Sequence, residues 1–215
     1  VLLLASTRSS AELKQLLGED FGGILSSDCF SAYNPQSAAA KQKCLTHLER
    51  DLEALKLSRF EANRLFAQTV GEILTTARIC HRDYHTGKLS RQEIAQQRPV
   101  IEAQLLAVLH HPPVTGWPAD AQRLANRIQR HWREWFTFLD YPEVKPDNND
   151  AERALRPVVV HRKVTGGARS DWGAQLVAQM FSFLETVRLQ GGEAITQLYE
   201  LLSLAGRSPP GLQLN

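Results

Sequence analysis

The 215-residue sequence predicts an α/β protein that is predominantly helical, with a short strand–helix–strand unit ahead of a long all-helical block. Two short apolar runs, VLLLA at the start and GGILSSD ending at Asp28, have the length and composition of buried strands. The segment AELKQLLG between them is typical of a short helix closed by Gly18. This order predicts a βαβ crossover and therefore a parallel pair of strands.

Helical periodicity from residue 45 onward is the second observation. Apolar residues recur at spacings of three and four along successive segments, at Leu45, Leu48, Leu52 and Leu55, then Phe66, Val70, Ile73 and Ala77, then Ile101, Leu105 and Leu109. Ser90 and Glu93 form a capping box before the third helix, and Pro99 is expected to kink or divide it. Beyond the break at HHPPVTGWP we expect a fourth helix with an aromatic face, at Leu124, Ile128, Trp132, Trp135 and Leu139.

A loop rich in Pro, Asp and Asn, DYPEVKPDNND, precedes the next predicted helix. Its last three residues favour the N-terminal end of a helix, which places Glu152 in the first turn. Pro157 disfavours helix at Arg156, so the VVV that follows fits either a helix or a strand. Ser170 or Asp171 caps a further helix, and two inward-facing sets are expected: Leu176, Met180, Leu184 and Val187, then Ile195, Leu198, Tyr199 and Leu202 on a last short helix.

Composition bounds the class of protein only loosely. The 25 Lys plus Arg nearly balance the 23 Asp plus Glu, so net charge argues neither for nor against a nucleic-acid partner. Three scattered cysteines without a secretory leader favour a reduced, cytoplasmic protein. The run VLLLA is too short for a signal peptide or a membrane span. Since no initiating Met is present, the chain is expected to be a piece of a longer protein.

Two carboxylates are the main candidates for chemistry. Asp28 follows a predicted parallel strand, at the edge where α/β sheets hold ligands, and Glu152 lies near a helix start. Taken singly, Asp28 could merely stabilise a turn, and Glu152 could merely favour the helix dipole and pair with Arg156. Together, they could bind Mg²⁺ or Mn²⁺ in a two-ion site for phosphodiester chemistry, which ordinarily needs a third carboxylate.

A local basic run supports a phosphate-bearing partner. It contains no acid, and its members are Arg153, Arg156, Arg162, Lys163 and Arg169, with His161 among them.

The histidine motifs are weaker indications. His81 and His85 have the spacing of a helical zinc pair, but Arg82 stands where a zinc protease needs glutamate and no third ligand is evident. We interpret them as a solvated helix end. Cys44 and His47 could form half of a zinc site without a clear second half. A buried Cys44 and a local hydrogen bond from His47 are the simpler interpretation.

Four segments together resemble the insertion-sequence-66 family of bacterial DDE transposases. In chain order they are GGILSSDCFSAYN, KQKCLTHLERDL, DNNDAERALRPVVVHRK and ARSDWGAQLVAQMFSFLETVRLQGG. The run DNN-x-AER-x-LR with a following RK is the specific part, whereas an aspartate after a strand is not. The resemblance covers nearly the whole chain and is weakest between about Leu57 and Val144.

The resemblance implies a ribonuclease H-like catalytic domain with a helical insertion. Residues 1–44 and 140–205 would form the core, incomplete at its N-terminus, residues 45–139 the insertion, and residues 206–215 a flexible tail. Asp28 matches the second catalytic acid and Glu152 the third. With a first Asp they would bind two Mg²⁺ ions, which activate water to cut the element's ends and then the freed 3′-hydroxyl to join target DNA. Cys44 and His47 match a Cys-x-x-His signature with a structural role.

One departure from the family pattern concerns the first acid. It should lie on a strand before VLLLA, and Asp20 is no substitute because it precedes the strand of Asp28. Cys29 stands where much of the family has glycine. The resemblance also implies homo-oligomers on DNA, with no membrane partner. Three hypotheses follow: a transposase of which this piece alone is inactive, a non-catalytic DNA-binding or assembly fragment or decayed remnant, and a ribonuclease H-like nuclease.

Overall fold

The computed structural model describes residues 9–110, 112 and 116–204, which divide into two units. The first unit ends at Asn148 and the second contains the helices from Asn149 onward. The predicted strand VLLLA, and with it the predicted pairing to GGILSSD, lies outside the described residues, as does the predicted tail 206–215. The division into a core and an insertion stays a prediction.

A short helix leads into the sheet of the first unit. Helix α1 (Ser10–Leu17) ends at Gly18, whose φ of 81° is a left-handed conformation that glycine adopts without a Cβ clash. Strand β1 (Asp20–Ser27) follows, and Asp28 comes directly after its last residue. The predicted helix and strand are both confirmed. However, β1 is only partly covered, and Ser27 is its one buried residue.

The described partner of β1 is a strand that the sequence did not reveal. Strand β2 (Ser37–Lys43) pairs with β1 in parallel, and the last two pairs are Ser26 with Gln42 and Ser27 with Lys43. Its sequence, SAAAKQK, has low β-propensity, because alanine, lysine and glutamine are depleted in strands. Tertiary contacts, rather than local propensity, therefore stabilise this segment as a strand. The Gln42 and Lys43 side chains are fully buried, at 0% and 1% exposure.

Four long helices supply the apolar core of the first unit. They are α2 (Leu45–Lys56), α3 (Glu61–His85), α4 (Arg91–His110) and α5 (Ala119–Arg130). The predicted stripes on the first two helices are all buried, which confirms the periodicity from residue 45. The capping box is also confirmed, since the Ser90 amide donates to Glu93 Oε2 at 2.7 Å and the Glu93 amide donates to Ser90 Oγ at 3.2 Å.

Pro99 does not divide the helix that contains it. Helix α4 runs unbroken from Arg91 to His110 with Pro99 inside it. A proline costs about 3 kcal/mol or more in a helix interior. Ile94, Ile101 and Leu105 are each buried to 1% exposure or less on either side of the proline, and this packing offsets the cost.

The predicted fourth helix is wrong beyond residue 130. Helix α5 stops at Arg130, a 3₁₀ turn follows at Trp132–Glu134, and the short α6 spans Thr137–Asp140. Gln42 holds the chain beyond this break: its Nε2 donates to the Trp135 carbonyl at 2.9 Å, and its Oε1 accepts from the Phe138 amide at 3.0 Å. These bonds to β2 replace the intrahelical bonds that a continuous helix would need.

The second unit consists of three helices in the described residues. They are α7 (Asn149–Thr165), α8 (Asp171–Leu189) and α9 (Ala194–Leu204). The predicted start of α7 is confirmed, and VVV is helical, so Pro157 does not end this helix. Ser170 caps α8 by accepting from the Gly173 amide at 3.1 Å.

The inward face predicted for α8 is partly wrong. Leu176 and Leu184 are 41% and 37% exposed, whereas Ala174, Ala178 and Val187 are buried. A helix whose apolar residues extend around most of its circumference does not reveal its buried side by periodicity. Among the helices of the described residues, none is both long enough and apolar enough to cross a membrane.

Candidate functional site

Asp28 lies where the two parallel strands of the first unit end. β1 ends at Ser27 and β2 at Lys43, and these two residues are paired, so Asp28 and Cys44 leave the sheet at the same edge. One carboxylate oxygen of Asp28, Oδ1, accepts a hydrogen bond from the Phe30 amide at 2.9 Å. This Asx-type turn orients the half-buried carboxylate at the sheet edge.

A buried lysine, Lys43, supports this strand end, and no sequence pattern predicted it. Lys43 Nζ donates to the Asp28 carbonyl and to Ser27 Oγ, both at 3.1 Å, and lies 3.7 Å from Glu134 Oε2. The ammonium group therefore binds the backbone of the candidate acid rather than its carboxylate. A lysine in a short polar strand has no distinguishing pattern, since its burial follows only from the pairing of β2 with β1.

Glu134 connects this lysine to a buried imidazole. His131 is 6% exposed, and its Nδ1 lies 3.2 Å from Glu134 Oε2. Burial lowers the pKa of His131 below its ordinary value, and this outweighs the opposite effect of the Glu134 carboxylate. Lys43 lowers the pKa of His131 further. The cluster therefore favours an uncharged imidazole beside a Lys–Glu ion pair.

This shift predicts acid destabilisation through His131. In the unfolded chain the imidazole binds a proton at a pH of about 6.5, but the folded environment resists that proton. The contribution of His131 to stability is therefore present above about pH 6.5 and is lost as the pH falls through the lower folded pKa. We expect His131→Gln to flatten the pH dependence of the unfolding free energy between about pH 7 and 5, measured by urea denaturation. An unchanged pH profile would contradict the assignment.

Cys44 connects the sheet edge to the loop before α7. The Cys44 amide donates to the Ser27 carbonyl at 2.8 Å, and its Sγ accepts from the Asn148 amide at 3.4 Å. The next amide, of Leu45, donates to the Pro146 carbonyl at 2.9 Å. Cys44 is 1% exposed, so these contacts lie within the core of the first unit. His47 is half-buried one helical turn further along α2.

Glu152, the other candidate acid, lies in the first turn of α7, where its charge is favourable to the helix dipole. It is half-buried and lines a cavity of about 470 Å³ together with Asn149, Arg153, Arg156 and Val159. Acidic and basic groups therefore share one concave surface of the second unit. Arg153 also lies 3.9 Å from Asp150, an exposed ion pair across three residues.

The basic run divides between different sides of α7. All five basic residues are exposed. At about 100° per residue, Arg156 and Lys163 lie within roughly 40° of Glu152 around the helix axis. By the same geometry Arg153 and Arg162 lie roughly 80–100° away on opposite sides, and Arg169 follows the end of the helix. Arg156 and Lys163 are thus the basic residues on the same side of α7 as the candidate acid.

Asp28 belongs to the first unit and Glu152 to the second, so their convergence stays a prediction. The donor chemistry fits a hard divalent cation, because both candidates are carboxylates and Asp28 lies at a sheet edge. Within the described residues, no group of three or more His, Cys, Asp or Glu side chains is arranged to hold a metal ion.

Comparison with known proteins identifies the family. The sequence model described as "Transposase IS66 family" matches residues 1–176. Two proteins of Sinorhizobium fredii (strain NBRC 101917 / NGR234) are similar along most of the chain. Uncharacterized protein y4qI is 28% identical over 210 residues, 90% of this chain and 38% of that protein. Uncharacterized protein y4hP is 26% identical over 225 residues, 88% of this chain and 40% of that protein.

The chain therefore spans about two fifths of the length of these curated relatives. No solved structure is significantly similar to it.

Proposed function

Because the chain belongs to the IS66 transposase family, we propose that it carries the second and third acids of a DDE transposase, Asp28 and Glu152. The reaction is metal-dependent cleavage at the ends of an insertion sequence and transfer of those ends to target DNA. It takes place in the cytoplasm, on paired element ends held by a homo-oligomer. The remaining acid of the triad completes the site together with these two.

The observation that carries the proposal is the anchoring of the loop before α7. Asn148 precedes Glu152 by only four residues, and its amide bonds to Cys44 directly beyond the end of β2. Asp28 leaves the same edge of the sheet. In the proposal, Glu152 joins Asp28 at this edge, four residues beyond the anchor at Asn148. In this proposal Cys44 has a structural role, with His47 beside it on α2.

Asp28 and Glu152 would hold Mg²⁺ or Mn²⁺ through their carboxylate oxygens. When bound, the ions supply activation of the attacking hydroxyl and stabilisation of the leaving oxygen of the phosphodiester. The Asx turn at Phe30 and the ammonium of Lys43 orient Asp28, and the first turn of α7 orients Glu152. Arg156 and Lys163, on the same side of α7, bind DNA phosphates and align the strand with the acids.

The direct test is cleavage and joining of DNA that carries the element's ends. A form of the protein extended upstream of Val1 should cut and transfer these ends in Mg²⁺ or Mn²⁺. Both reactions should stop when EDTA removes the ion. Cleavage of RNA or branched DNA in preference to element ends would favour a ribonuclease H-like nuclease instead. Binding of element ends without any cleavage would favour an assembly fragment or a decayed element.

The orientation of the basic run predicts unequal contributions to DNA binding. The double variant Arg156→Gln/Lys163→Gln removes two positive charges from the Glu152 side of α7. We expect it to weaken binding by about tenfold or more and to reduce the slope of log K against log salt by about two. The measurement is a salt titration of binding to a labelled duplex by fluorescence anisotropy.

The matched control is Arg162→Gln/Arg169→Gln. It also removes two positive charges, but from residues that do not lie on the Glu152 side of α7. We expect this control to cause a smaller loss of affinity and a smaller change of slope. Equal effects of the two double variants would show that binding responds only to net charge. A larger effect of the control would contradict the proposed DNA-facing side of α7.

A further inference from the structure

The histidine pair at the end of α3 differs from a solvated helix end. His81 Nε2 and His85 Nε2 lie 3.2 Å apart, and both face the carbonyl oxygen of Pro142, at 2.8 Å and 2.9 Å. Pro142 follows α6, about sixty residues further along the chain. Two imidazole nitrogens and one main-chain oxygen thus converge on a single point of the first unit.

The spacing of these three atoms suits one metal ion. Two ligands with bonds of about 2.0–2.1 Å lie about 3.3 Å apart in tetrahedral coordination and about 3.0 Å apart in octahedral coordination. The observed edges of 2.8, 2.9 and 3.2 Å form a triangle close to these sizes. An ion above this triangle could therefore reach all three atoms with ordinary bond lengths.

The surroundings hold the ligands while leaving the site accessible. The His81 ring packs edge-to-face on the fully buried Phe138, with ring centroids 5.3 Å apart. The turn that carries Pro142 is closed by the Val144 amide, which donates to the Tyr141 carbonyl at 2.8 Å. His85 is exposed to solvent, so an ion and its remaining water ligands can enter from that side.

We propose that His81, His85 and the carbonyl oxygen of Pro142 bind a transition-metal ion of the Zn²⁺, Co²⁺ or Ni²⁺ class. Imidazole nitrogen is a preferred ligand of these ions, whereas Mg²⁺ prefers oxygen, so this site is chemically distinct from the proposed carboxylate site. Without metal, each Nε2–H can donate to the Pro142 oxygen. On binding, that ring proton moves to Nδ1 and the Nε2 lone pair coordinates the ion, with no net change in charge on either ring.

The bound ion would clamp α3 to the turn after α6. A ligand that binds only the folded state raises its stability by mass action. The bound metal should therefore raise the melting temperature of the protein, independently of any effect on DNA chemistry.

The test uses Zn²⁺ and Co²⁺ with the purified, metal-free chain. Calorimetry should show one Zn²⁺ per chain with a micromolar or lower Kd, and Zn²⁺ should raise the melting temperature. His85 is the exposed ligand, so its substitution should disturb folding least. We expect His85→Gln to weaken Zn²⁺ binding by about 100-fold or more and to abolish the rise in melting temperature on adding Zn²⁺. His161→Gln, which removes an imidazole from the second unit, should leave both unchanged.

Co²⁺ distinguishes this site from binding by cysteine. Cys80 directly precedes His81, and Cys29 and Cys44 are also free thiols. We expect a visible Co²⁺ spectrum that lacks the ultraviolet band of a cobalt–thiolate bond. A thiolate band, equal Zn²⁺ affinity of His85→Gln and the wild type, or no Zn²⁺ binding by the folded wild type would each overturn the proposal.

Discussion

Glu152→Gln should reduce cleavage of element-end DNA by at least about 1,000-fold while leaving DNA binding largely intact. Glutamine keeps the size and helical preference of glutamate but loses the charge that a divalent cation requires. Three powers of ten correspond to about 4 kcal/mol of transition-state stabilisation, the range expected for a metal ligand in phosphoryl chemistry. The measurement is strand cleavage in Mg²⁺ with a form of the protein extended upstream of Val1, alongside a binding titration.

Glu185→Gln is the matched control for this prediction. Glu185 lies on α8 and pairs with Arg188, so the control makes the same substitution on a helix of the same unit. We expect cleavage by this control to remain within a fewfold of the wild type. Asp28→Asn should reproduce the loss seen with Glu152→Gln. Normal cleavage by either Asp28→Asn or Glu152→Gln would defeat the assignment of that carboxylate.

Lys43→Met should lower the free energy of unfolding by about 2–3 kcal/mol. Methionine fills a similar volume but cannot donate to the Asp28 carbonyl or to Ser27 Oγ, and it leaves Glu134 without its ammonium partner. Hydrogen bonds from a charged donor contribute more than neutral ones, which places this loss above that of a typical surface change. Urea denaturation of the 215-residue chain measures the effect directly.

Lys41→Met is the control on the same strand. Lys41 Nζ donates to the Asn34 carbonyl at 2.8 Å, but this bond lies at the exposed side of β2. We therefore expect a loss below about 1 kcal/mol. A double-mutant cycle of Lys43→Met with Glu134→Gln should show coupling between the two residues. Equal free energies of unfolding for Lys43→Met and Lys41→Met would show that the buried ammonium does not stabilise the strand end more than an exposed one does.

Local patterns in the sequence predicted the helices correctly wherever one face of a helix is buried. The stripes at Leu45–Leu55 on α2 and at Phe66–Ala77 on α3 follow the helical repeat, because water is excluded from one side only. The residues that mark the start of a helix were also predicted from local sequence. Ser90 and Glu93 form the predicted capping box within a single turn. Such signals depend on neighbours three or four residues away, which a sequence displays directly.

The errors at β2, beyond Arg130 and at Pro99 involve contacts between segments that are far apart in the chain. β2 has a helix-favouring composition and becomes a strand only by pairing with β1. The non-helical path beyond Arg130 includes the bonds of Trp135 and Phe138 to Gln42, which lies more than ninety residues earlier than either. Pro99 does not divide α4, since its local cost of a few kcal/mol is overcome by the packing of Ile94, Ile101 and Leu105 on either side of it.

The sequence by itself determined the family, the two candidate acids and the helical block, because motifs and periodicity are carried by residue identity and spacing. Only the tertiary structure decided three contacts. Lys43 donates to the Asp28 carbonyl, and Cys44 accepts from an amide of the loop before α7. His81 and His85 both face the Pro142 carbonyl. In each case a side chain bonds to a main-chain group of a distant segment. Every residue has such a group, so no residue type marks the partner in advance.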